Sequence, residues 1–236
     1  MNQGIIRSRL ELEHTRLPQE IMNETLNVLT SHESVRGFQN KPLPNGALQA
    51  ILTSARSAPT FSNLQAYSII VIRDEARKAR LSKLAGNQNF IREAPVFFVF
   101  CADIYRLKYV TKRQGYPFAA ESLEMFLLAS VDAALALQNA LVAAESMGLS
   151  AVPVGSIRND PLAVARELGF PQGVFAIAGL AVGFEREGVR RGVKPRLPEK
   201  VVVHQERYST EYLEEGLAEY DRQMISRRTY DGRRVS

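Results

Sequence analysis

The sequence predicts an α/β or α+β sandwich, and three observations carry that expectation. Four runs have the composition of strands: Tyr67 to Ile72, Val96 to Ala102, Ala151 to Val154 and Phe175 to Val182. Segments with helical spacing of apolar residues separate them, and strands interleaved with helices build layered sandwiches. Hydrophobic residues make up 45% and charged residues 23% of a 236-residue chain, as in an ordinary globular protein. A chain of this length buries a core without disulfides or metals. No linker, internal repeat or low-complexity tract divides it. One domain is therefore expected over residues 20–236, behind a polar extension at residues 1–19.

Taken in order, Gln19 to Leu29 reads as a helix, with Ile21, Leu26 and Leu29 near helical spacing. A turn follows at Lys41-Pro42-Leu43-Pro44. Pro44 to Arg56 reads as a second helix carrying Leu48, Ile51, Leu52 and Ala55 on one face. Ser57 to Gln65 is a polar loop containing Pro59. Asp74 starts an amphipathic helix that runs to Leu84. Val96 to Ala102 is a continuous apolar run between Pro95 and Asp103, the pattern of a central strand.

Ala119 to Met147 is the longest helical segment and ends before Gly148. It is apolar enough to raise the question of a membrane span. Glu121, Glu124, Asp132, Gln138, Asn139 and Glu145 interrupt it, and such groups are costly in a bilayer. A core helix or a subunit interface explains it better. A short helix is expected from Pro161 to Leu168, capped by Asn159 or Asp160, and a last one from Thr210 to Arg227.

The formal net charge of +5 favours anionic partners, such as phosphorylated cofactors or nucleic acid, or serves only solubility. Basic residues gather near the C-terminus at Arg222, Arg227, Arg228, Arg233 and Arg234. There is no RNP-type aromatic motif, zinc-finger spacing or heptad zipper, so no nucleic-acid partner is expected. The single cysteine, Cys101, lies in an apolar run and would be inert if buried. With no disulfide framework and no signal-peptide pattern in residues 1–20, a cytoplasmic location is expected.

Several site types are absent: Walker A, G-x-G-x-x-G, H-E-x-x-H and G-x-S-x-G. Three scattered histidines and one cysteine offer no metal-ligand spacing. Three polar clusters remain. In an extended segment, His32-x-Ser34-x-Arg36 would face one side and suit a phosphate ester; the same residues also suit a capped helix-to-turn connection. Two prolines stiffen Lys194-Pro195-Arg196-Leu197-Pro198, which is either a doubly cationic clamp for an anion or a basic surface loop. At Val152-Pro153-Val154-Gly155-Ser156-Ile157-Arg158-Asn159 a strand ends in small residues. There a flat ligand could approach backbone N–H groups, or the chain simply turns into a helix.

Together these clusters resemble the nitroreductase family, and most of all its bacterial oxygen-insensitive NADPH nitroreductases and NADPH-FMN oxidoreductases. The resemblance covers roughly residues 22–225. Its pieces follow the family's order: H-x-S-x-R, the Ala58 to Gln65 loop, Leu84-Ala85-Gly86-Asn87-Gln88, Phe97 to Asp103, the Asp132 to Met147 helix, Gly155 to Asn159 and Lys194 to Pro198. The resemblance implies an α+β fold with a mostly antiparallel sheet flanked by helices. It also implies a homodimer with wrapping chain ends, bound FMN, and NADPH or NADH as electron donor.

By the same resemblance, His32, Lys194 and Arg196 would hold the FMN phosphate with Ser34 assisting, and Arg36 would sit near N1 and O2 of the flavin. Thr60 and Ser62 would line the ribityl and ring side, and Gln88 would meet the pyrimidine edge. Val154 belongs to the implied cofactor set, and the backbone of Gly155 and Ser156 would donate to N5. Arg158 would serve the nicotinamide nucleotide or the acceptor, and Arg227 and Arg228 the 2′-phosphate of NADPH. No side chain need act as a catalytic nucleophile, because the cofactor does the chemistry.

The implied activity is ping-pong reduction of small-molecule acceptors such as nitroaromatics, quinones or flavin. Its alternatives are a flavin reductase supplying a partner and a non-catalytic FMN-binding module. Three features depart from the family pattern: Glu33 where arginine is usual, Pro153 over the expected flavin pocket, and a short C-terminus at Ser236.

Overall fold

The computed structural model describes residues 18–119, 122–189 and 192–226. The chain packs as two compact units. Of the described residues, one unit holds 24–119 and 122–189, and the other holds 18–23 and 192–226.

In the larger unit the helices are α1 (Glu24–Thr30), α2 (Ala47–Arg56), α3 (Glu75–Leu84), α4 (Asn89–Glu93), α5 (Tyr105–Arg113), α6 (Leu123–Ser146) and α7 (Pro161–Leu168). The strands are β1 (Tyr67–Ile72), β2 (Val96–Asp103), β3 (Ser150–Val154) and β4 (Val174–Gly183). In the smaller unit a one-turn 3-10 helix covers Gln19–Ile21, followed by α8 (Glu199–Val202) and α9 (Leu213–Ser226). The four strands form one sheet in the order β1-β2-β4-β3, and every pair is antiparallel. The fold is therefore α+β.

Strand β2 organises the core. All eight of its residues are buried. Side chains alternate across a strand, so Phe98 and Phe100 join the cluster under α2 and α6. Phe97, Val99 and Cys101 join the opposite cluster, with Leu81, Ile91 and Val164. The Phe97 ring lies over Gly179 of β4, where an added Cβ would come within 2.3 Å of it, so only glycine fits beneath that ring.

Cys101 is fully buried, and burial with the nearby Asp103 charge pushes its thiol pKa up to about 12. The folded protein should therefore not react with a thiol reagent such as a disulfide dye at pH 8, and should react fully in denaturant. Rapid labelling of the native protein would show that β2 opens.

Helix α6 has a mean hydropathy of 1.7 over an 18-residue window and is long enough to cross a membrane by length and composition. Its small inner face (Ala129, Ala133, Ala136, Ala140, Ala144) packs on the sheet. The element boundaries differ from expectation in instructive ways. Helix α2 starts at Ala47 rather than Pro44, because Gly46 takes φ 81° and turns the chain into the helix. The first expected helix splits into the 3-10 turn at Gln19–Ile21 and α1. Helix α7 is capped by Asp160, whose carboxylate accepts from the Ala163 N–H at 3.0 Å. Of the expected helix from Thr210 to Arg227, α9 covers Leu213–Ser226, and Arg227 lies outside the described residues.

Candidate functional site

The His32–Phe38 segment lies beside the edge strand β3. The Val35 N–H donates to the Ala151 carbonyl at 3.3 Å, and Phe38 bridges to Glu185. Val35 is buried, while His32 and Ser34 are half-buried and Arg36 is exposed. The alternate residues make one polar row. Ser34 Oγ is 3.3 Å from His32 Nε2, and Arg36 Nη1 donates to the Ser34 carbonyl at 3.4 Å. The other ring nitrogen of His32, Nδ1, is 2.7 Å from Glu145 Oε1 near the end of α6. Glu33 lines a small cavity of about 110 Å³ together with Val28, Ser31, Glu145, Gly148, Leu149 and Ser150.

The loop before β1 carries Thr60, half-buried, and Ser62, exposed. Ser62, Asn63 and Gln65 have φ of 47°, 55° and 50°, a region costly for residues with a side chain. Asp132, fully buried in α6, holds this loop. Its two carboxylate oxygens accept the Phe61 and Ala66 N–H groups, each at 2.9 Å. Arg106 of α5 adds bonds to the Gln65 and Tyr67 carbonyls at 2.8 and 2.5 Å.

At the far end of β3, the Gly155–Arg158 turn follows the buried Val154. The Arg158 guanidinium donates to the Ile177 carbonyl on β4 and lies across Gly155, with Nη2 3.5 Å from where a Cβ would stand. The Gly86 turn approaches the same place: a Cβ there would sit 3.4 Å from Asn159 Nδ2. Gln88, half-buried, follows that turn and precedes α4, and its backbone is fixed by Ser82, whose hydroxyl donates to the Gln88 carbonyl at 2.8 Å. The larger unit thus brings the Gly86–Gln88 loop to the Gly155–Asn159 turn, at one end of the strand that His32–Phe38 flanks.

In the smaller unit, Lys194 is half-buried and Arg196 exposed. Arg196 Nη1 donates to the Lys194 carbonyl at 3.1 Å. Both line an open, largely apolar groove of about 500 Å³ with Leu197, Val202, Val203 and Tyr220. Arg227 and Arg228 lie outside the described residues. No group of three or more His, Cys, Asp or Glu side chains placed to hold a metal occurs among the described residues.

The nitroreductase family model matches residues 29–184, and the model for that family's C-terminal domain matches residues 194–234. The chain belongs to the nitroreductase family. It is 39% identical over 207 residues to an FMN reductase (NAD(P)H) of Bacillus subtilis, covering 86% of this chain and 82% of that one. It is 40% identical over 204 residues to an oxygen-insensitive NADPH nitroreductase of Salmonella typhimurium, with the same coverage of 86% and 82%. Among solved structures, a hypothetical oxidoreductase of Bacillus subtilis, YcnD, superposes with a TM-score of 0.85 at 37% identity, over 90% of this chain and 87% of that one.

Within this chain, two carboxylates that interrupt the apolar helix α6 organise polar loops. Asp132 sets the 60–66 loop, and Glu145 sets His32. The available signal was their type: a carboxylate inside an apolar stretch needs a partner.

Proposed function

We propose that this chain, an FMN-dependent NAD(P)H oxidoreductase, reduces small-molecule acceptors such as nitroaromatics, quinones or free flavin by a ping-pong, two-electron cycle. The observation that carries the reading is the polar row His32–Ser34–Arg36 along one flank of β3, with the small-residue turn Gly155–Ser156 at its end. That donor set fits FMN: a hydroxyl, an imidazole and a guanidinium suit a phosphate and an electron-rich ring edge, and a turn without bulky side chains suits a flat ring. Bound FMN would supply two-electron redox chemistry between a nicotinamide donor and the acceptor, which would use one site in turn.

The chain's own residues bind and orient. His32 and Ser34, with Lys194 and Arg196, are assigned to the phosphate. Arg36 supplies a fixed cation where the ring gathers negative charge. Thr60 and Ser62 are assigned to the ribityl and ring side, and Gln88 to the pyrimidine edge. The backbone beyond Val154, at Gly155 and Ser156, offers N–H groups near the reacting position. Arg158 is assigned to the nicotinamide nucleotide or the acceptor, and Arg227 and Arg228 to a 2′-phosphate.

A homodimer in the cytoplasm completes the proposal. Helix α6 supports the dimer: Leu123, Leu127, Val131 and Leu135 recur at four-residue spacing and are 82%, 57%, 45% and 38% exposed. A second reading, a reductase that delivers reduced flavin to another protein, is favoured by the name of the Bacillus subtilis FMN reductase. Slow release of FMN on dilution would exclude it.

The test is the visible spectrum of the purified protein before and after NADPH without oxygen. A flavin spectrum that bleaches supports the proposal. A protein that is colourless and fails to bind added FMN overturns it.

A further inference from the structure

We propose that Glu145 is the positioning residue of the cofactor's phosphate site, acting through His32. The inference rests on the assignment of His32 to the FMN phosphate. His32 Nδ1 and Glu145 Oε1 are 2.7 Å apart and join segments 113 residues apart in the chain. As a carboxylate, Glu145 only accepts, so Nδ1 is the donor of the pair. The ring is then held in plane from its inner side, and because Nδ1 is already a donor, Nε2 meets a phosphate oxygen as a donor when the ring carries both hydrogens. Its outer nitrogen, Nε2, stands beside the Ser34 hydroxyl at 3.3 Å. Two polar groups are thus presented together on one edge. A carboxylate behind a histidine fixes the orientation of the ring, as it does behind histidines that ligate metals.

A second observation separates this role from a purely structural one. Glu145 lies in the last turn of α6, which ends at Ser146, and that turn contains no basic residue. A negative charge at a helix C-terminus opposes the helix dipole. The helix itself therefore gains nothing from Glu145, and His32 accounts for it. Both side chains are partly shielded, at 22% and 14% relative exposure, which strengthens a fixed pair over a surface one.

The two roles predict opposite signs. Glu145→Leu keeps the bulk of the side chain and removes the acceptor. FMN affinity, read by quenching of flavin fluorescence with the FMN-free protein, should fall about tenfold, the size of one hydrogen bond. Riboflavin, which lacks the phosphate, should bind with unchanged affinity. The thermal midpoint of the FMN-free protein should stay the same or rise. Glu145→Gln, which still offers an acceptor oxygen to Nδ1, should restore most of the loss. His32→Ala should weaken FMN at least as much, and adding Glu145→Leu to it should cost nothing further.

The proposal is overturned if Glu145→Leu leaves FMN affinity unchanged, weakens riboflavin equally, or adds its full effect on top of His32→Ala. Failure of the underlying assignment looks different: His32→Ala itself would then leave the preference for FMN over riboflavin intact.

Discussion

Asp132→Ala should destabilise the larger unit by about 2–4 kcal/mol and weaken FMN binding at the same time. The carboxylate is fully buried and accepts two backbone N–H groups at 2.9 Å. Hydrogen bonds to a charged acceptor are worth about 1.5–3 kcal/mol each, partly offset by the cost of burying that charge. Removing it leaves the Phe61 and Ala66 N–H groups without the acceptor they face. It also frees a loop that keeps Ser62, Asn63 and Gln65 at positive φ, which would relax toward cheaper conformations. Thr60 and Ser62, which are proposed to line the cofactor, ride on that loop, so the site should loosen with it.

Asp132→Asn is the sharper variant. Its amide offers one acceptor oxygen and one NH2, so one of the two backbone N–H groups meets a donor instead of an acceptor. It should therefore lose nearly as much stability as alanine despite its matching shape. Urea unfolding of the FMN-free protein and fluorescence titration with FMN read the two effects. A wild-type midpoint in Asp132→Asn would show that the loop is held by something else.

These carboxylates mark the limit of what the chain shows unaided. Strand β2 was legible because an unbroken apolar run sits between Pro95 and Asp103. Helix α3 was legible because Asp74 is a cap whose side chain accepts from the Arg77 N–H at 2.7 Å. Helix α5 was not read: it is short and rich in Lys and Arg, none of its residues is buried, and Leu107 is only partly covered where it packs against the core. Helix α4 has only five residues, too few to show a period. The polar row of His32, Ser34 and Arg36 was readable because its geometry depends on neighbours two residues apart. The partners that fix it are remote. Asp132 lies 71 and 66 residues from the groups it holds, and Glu145 lies 113 residues from His32. Spacing within a segment can be read from the chain, whereas a contact that only the fold creates cannot.

Arg196→Ala should weaken FMN binding about tenfold or more without touching the fold, since a guanidinium paired with a phosphate is among the stronger charge-assisted contacts. Arg196 is exposed, and its guanidinium donates to the Lys194 carbonyl two residues away. Exposed substitutions of this kind seldom move stability by more than about 0.5 kcal/mol. Pro195 and Pro198 keep the segment stiff, so the side chain is presented with little ordering left to do on binding. Arg196→Lys keeps the charge and loses the fork, and should fall between wild type and alanine. The salt dependence supplies an independent reading. A contact to a phosphate is screened by ions, so FMN affinity in the wild type should fall more steeply with salt than in Arg196→Ala. Riboflavin affinity should be indifferent both to the substitution and to salt. If alanine at this position leaves the affinity for FMN and its salt slope where they were, Arg196 does not touch the phosphate. The cationic clamp of the smaller unit would then need a different anion.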